Sequence, residues 1–191
     1  MSYAYDAVQF TEVLGQPDTP AKRDAVVAFL KAYLIYEAKS DERDNRRKAH
    51  LTEALLYVRS TPDPRFPPLV AKLPATPVAQ VVLARLAPDV ARTTYGRGPD
   101  HIWARLALDP TDASAIESAS QRFDPYTKLS VIKPGDAEKI AVGALALALT
   151  RDAGQIERIR PFARGEKVVG AVGKGWSSIV RAVLESEGFT V

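Results

Sequence analysis

The chain contains no cysteine, and of its 191 residues only two are histidine, two tryptophan and one methionine. Without thiols there is no disulfide and no thiolate-ligated metal, which also fits a reducing compartment. The two histidines, His50 and His101, are far apart, and neither has a second ligand at metal spacing, so no metal centre is expected. The longest apolar run is ten residues, about half of what a bilayer-spanning helix needs. The opening residues, MSYAYDAVQF, have neither the basic region nor the apolar stretch of a secretory leader. Cytoplasmic is therefore the expected location, with no membrane partner.

The motifs of common enzyme classes are missing as well. Gly175-Trp176-Ser177-Ser178-Ile179 lacks the closing glycine of a nucleophile elbow. Gly173-Lys174 is followed by Gly175 where a phosphate-binding loop needs serine or threonine, and Val168 stands where that loop begins with glycine. The Gly173–Ser178 segment also lacks the third glycine of a dinucleotide fingerprint. Asp100 adjoins His101, but consecutive residues on a helix do not face each other, and Glu185 and Glu187 diverge for the same reason. A non-enzymatic protein without a cofactor is the expectation.

What the chain does have is apolar periodicity at helical spacing. The segment Pro134–Arg151 organises the rest. It opens with proline, glycine and aspartate, carries Glu138 in its first turn, and runs apolar from Ile140 to Leu149. A helix apolar on every side belongs inside a fold. The spacing predicts an all-α, multi-helix globular bundle of eight or nine helices around a buried central helix at about 136–150. Thr19-Pro20 and Thr76-Pro77 each place a capping threonine before a proline suited to the first helical position. Lys128–Lys133 reads as a short strand or an extended connector. Residues 62–77 hold six prolines and cannot form one long helix. They divide the chain into a helical unit at 1–61, a connector at 62–77 and a second unit at 78–191 with the core helix, within one compact domain overall.

Charge supplies the functional expectation. There are 26 lysines and arginines against 23 acids, a net charge of +3, which permits a polyanionic partner without requiring one. Some twenty residues around Gly173 resemble the helix–turn–helix of bacterial DNA-binding proteins, although an ordinary helical corner with a glycine-rich connector reads the same way. Gly173 would be the turn glycine, Val168, Val172 and Ile179 the packing positions, and Ser177, Ser178 and Arg181 would point outward. The segment departs from that pattern at Val169, where a small residue is wanted. Arg158, Arg160, Arg164, Lys167 and Lys174 join Arg181 in a C-terminal basic group. Arg92, Arg97 and Arg105 form a second group around the Gly96–Pro99 loop, beside His101, with Tyr95 and Trp103 near enough in sequence to stack on bases, although such aromatics are more often core or edge-of-core residues. Arg43, Arg46 and Arg47 could serve as a third surface, although acids preceding bases there also describe a solvated helix. The expected function is nucleic-acid binding, to DNA or RNA, through arginines on the phosphate backbone, or a place in a nucleoprotein complex. The alternative is a structural or protein-interaction module, or a self-assembling subunit, with no nucleic-acid role.

Overall fold

The computed structural model describes residues 7–35, 42–96, 98–127, 134–166, 168 and 170–191. Among them are eleven α-helices, one 3-10 turn and no strand, so the chain is all-α. The expected strand or connector at 128–133 lies outside the described residues. Two compact units divide at Gly96 and Arg97.

The first unit comprises α1 (Ala7–Gly15), α2 (Pro20–Leu34), α3 (Glu42–Ser60), α4 (Phe66–Val70), α5 (Pro77–Leu86) and α6 (Pro88–Tyr95). Both threonine–proline starts form as expected. Thr19 accepts from the Lys22 amide and Thr76 from the Ala79 amide, each at 3.2 Å, with proline opening the helix. The proline-rich stretch is an internal part of this unit. It holds α4, which packs on α2 and α5. In α5 every residue from Val78 to Ala84 is buried, including Gln80, whose amide donates to the Ala75 carbonyl at 2.9 Å. The first unit thus has an enclosed helix of its own.

The second unit comprises the 3-10 turn Pro99–His101, then α7 (Ile102–Leu108), α8 (Ala113–Thr127), α9 (Pro134–Leu149), α10 (Ala153–Ala163) and α11 (Gly170–Ser186). The central helix is α9. It packs against α7, α8, α10 and α11, and Ala144 to Leu149 are buried without a break. Gly143 lets α8 approach closely: a Cβ there would stand 3.1 Å from the Phe123 Cβ and 3.3 Å from its Cα. Trp103 of α7 packs on the same helix, its indole N–H donating to the Val142 carbonyl at 2.8 Å. Two of the unit's helices end in the same way. After α10, Gly165 takes φ +76° and the amides of Gly165 and Glu166 bond back to Phe162 and Pro161. After α11, Gly188 takes φ +86°, with Gly188 and Phe189 bonding back to Glu185 and Leu184. In both, the left-handed glycine satisfies carbonyls that the helix end would leave open.

Candidate nucleic-acid interface

The two helices expected on either side of Gly173 are one. α11 runs unbroken from Gly170 to Ser186, so the helix–turn–helix reading is wrong. The left-handed glycine lies earlier, at Gly170 with φ +82°. Glycine lowers helix propensity, but packing can override it. Here Ser177, Val180 and Leu184 recur at helical spacing and are buried, on a helix that packs against α9 and α10. Ser177 consequently faces inward, at 3% exposure, and not outward as the motif required.

In the second basic group the stacking role is corrected: both aromatics are core residues. Tyr95 is buried in the first unit, and burial pushes its phenol up to about 12. Trp103 is buried in the second unit against α9, with the Arg122 guanidinium 5.2 Å from its ring. Neither ring presents a stacking face to a base. Arg105 is engaged by both oxygens of Asp112, at 2.8 Å each, and Asp112 also accepts the Ala115 amide at the start of α8. Burial raises the Asp112 pKa; the Ala115 amide and Arg105 outweigh it and leave the carboxyl below its usual range. Arg105 thus secures a helix start. Arg92 belongs to the first unit and pairs with Asp89 at 2.7 Å, fully in solvent. Arg97 lies outside the described residues. Of the third surface, Arg47 is buried, donating to the Ala32 carbonyl at 3.0 Å with its guanidinium 5.6 Å from the Tyr33 ring. The side chains of Arg43 and Arg46 are outside the described set.

The C-terminal group divides. Arg158 turns towards α8, where it pairs with Asp124 and lies 5.6 Å from the Phe123 ring centroid; it also donates to Gln155 at 2.8 Å. Arg160, two residues on, lies about 200° round the helix and pairs with Glu157 at 2.7 Å. Arg164 follows as the C-cap of α10, exposed, 3.9 Å from Glu166. Lys167 lies outside the described residues. On α11, Lys174, Ser178 and Arg181 are exposed on one face, and the Ser178 hydroxyl donates to the Lys174 carbonyl at 3.0 Å. Seven residues separate Lys174 from Arg181, about two turns or roughly 10 Å along the axis.

One contact joins the two helices. The Arg181 Nε donates to the Ala163 carbonyl at 3.3 Å, at the C-terminus of α10 and next to Arg164. It places Arg181 beside the residue preceding Arg164, with Lys174 on the same outer face of α11. The opposing acids are Glu157 and Glu166 on the α10 side and Glu185 at the far end of the α11 face. Such an arrangement can hold phosphate oxygens by charge-assisted hydrogen bonds; it has no nucleophile–base pair. Among the described residues no group of three histidine, aspartate or glutamate side chains could hold a metal, and no helix is long and apolar enough to cross a membrane.

Sequence reasoning missed one residue of this face, Gly175, which is exposed within α11. The available signal was the absence of any acid between Gly170 and Leu184. No protein-family model, curated protein or solved structure matches the chain.

Proposed function

We propose that the chain is a non-enzymatic nucleic-acid-binding protein, acting alone or as a helical subunit of a nucleoprotein complex. It holds the phosphate backbone through Arg164, Lys174 and Arg181, and binding is largely independent of sequence. The observation that supports this reading is the Arg181–Ala163 contact, which sets Arg181 of α11 against the residue that precedes Arg164 at the end of α10. Phosphate contacts of this kind supply most of the affinity in non-specific binding.

The test is binding of mixed-sequence nucleic acid across a salt series. Three phosphate contacts give a slope of log affinity against log salt of about −2.7 on duplex DNA. Lys174→Gln and Arg164→Gln should each flatten that slope by about one unit. Arg92→Gln, in the other unit, should leave it unchanged. Binding that ignores salt, or that none of these replacements alters, would dismiss the surface.

A second reading is a protein-interaction module or self-assembling subunit. It rests on Ile35, a large aliphatic side chain 86% exposed just beyond α2. Light scattering separates the readings: a stable oligomer lost in Ile35→Ser, with no nucleic-acid binding, supports the second.

A further inference from the structure

Gly175 is a glycine that the fold does not use. It sits inside α11, outside the left-handed glycines at 96, 165, 170 and 188, so no turn requires it. A Cβ added there would meet nothing within 4 Å, so no internal packing requires it either. Glycine inside a helix is destabilising relative to alanine, and here that cost has no return within the molecule. Lys174, Ser178 and Arg181 are exposed beside it, all to one side, about 60–120° round the helix. From Gly170 to Leu184 the helix holds no acid; its first is Glu185.

We propose that α11 seats in the major groove of double-stranded DNA, its backbone brought close at Gly175, with Lys174 and Arg181 reaching phosphates along one groove wall. This rests on the nucleic-acid reading above and names its ligand. The charge of the face matches a polyanion, and its shape selects the duplex. A helix about 10–12 Å across meets a groove about 12 Å wide, so removing side-chain bulk from the leading face lets it seat. The major groove of an RNA duplex is too narrow to admit it. Single strands are gripped by exposed rings, and the rings of α10 and α11, Phe162 and Trp176, are buried and half-buried.

The experiment uses the whole chain at one salt concentration, with fluorescence anisotropy on a mixed-sequence DNA duplex of about 20 base pairs, an RNA duplex of the same sequence and the single DNA strand. The DNA duplex should bind at least about tenfold tighter than the other two. Gly175→Gln places a good helix former at an exposed position, so it should melt at or above the parent temperature while binding duplex DNA about tenfold more weakly. Gly175→Ala, which adds one methyl, should bind with intermediate affinity. Equal affinity for RNA or single strands, or a folded Gly175→Gln with parental affinity, overturns the groove inference while leaving phosphate binding in place. No binding to any of the three probes overturns both.

Discussion

α9 and α11 each carry a glycine in mid-helix, and the two glycines answer to different surroundings. At Gly143 the Phe123 backbone stands where a side chain would go, so glycine is what allows α8 and α9 to touch. At Gly175 there is open space, and glycine gains the fold nothing. The same residue type therefore marks internal close packing in one helix and an unoccupied outer face in the other. Neither propensity nor the identity of the residue separates the two cases. Only the neighbouring atoms do.

The largest expected effect comes from filling the first site. Gly143→Leu forces bulk against backbone atoms that cannot swing aside, and should destabilise the second unit by at least about 3 kcal/mol in urea unfolding. Gly143→Ala is the sharper experiment. Helix propensity alone favours alanine by about 1 kcal/mol, while a Cβ at 3.1 Å from Phe123 opposes it. Because the nearest atoms are the Cβ and backbone of Phe123, the contact should win and the variant should lose about 1 kcal/mol. A gain in stability would mean that α8 and α9 are not held so close.

How legible these regions are in the sequence follows from the same distinction. The enclosure of α9 could be read because ten consecutive apolar residues leave a helix no wet face. The enclosure of α5 could not, because Gln80 interrupts its run, and it takes a partner such as the Ala75 carbonyl to make that amide acceptable inside. The threonine–proline starts are local and were legible. The unbroken course of α11 was not, since its glycines read as a turn until the buried stripe from Ser177 to Leu184 is packed against other helices. Cations were the least legible. Lys22 donates to the Leu14 and Gln16 carbonyls at the end of α1, Arg47 to Ala32 near the end of α2, and Arg181 to Ala163 at the end of α10. Each cation completes a helix C-terminus from a different helix, an arrangement that also suits the helix dipole. A sequence shows that such side chains exist; which carbonyl each one reaches is a property of the fold.

An intermediate effect is expected where the C-terminal ends of α9 and α11 meet. Arg151, just after α9, holds φ +58°, the only positive φ among described non-glycine residues. It pairs with Glu187 at 3.1 Å, its own side chain 57% exposed and that of Glu187 only 3%. Losing the arginine leaves a covered carboxylate without this cation, whichever residue replaces it. The replacements differ in backbone strain: alanine keeps the left-handed penalty, whereas glycine removes it. Arg151→Gly should therefore be more stable than Arg151→Ala by about 1 kcal/mol, read from denaturant midpoints. If the order is reversed, the left-handed turn at Arg151 does not form.

The smallest effect is also the most discriminating, because its sign is the opposite of the first. Gly175→Ala adds a methyl into open space and reduces the freedom of the unfolded chain, so it should stabilise the second unit by about 0.5–1 kcal/mol. For a unit of this size that is a rise of roughly 2–8 °C in melting temperature, measurable by calorimetry. Set beside a loss of similar size at Gly143, it would establish that one glycine serves packing and the other does not. A loss at Gly175 would mean that the fold itself requires glycine there. The case for an external partner approaching the α11 backbone would then have no support from that residue, leaving only the charges of Arg164, Lys174 and Arg181.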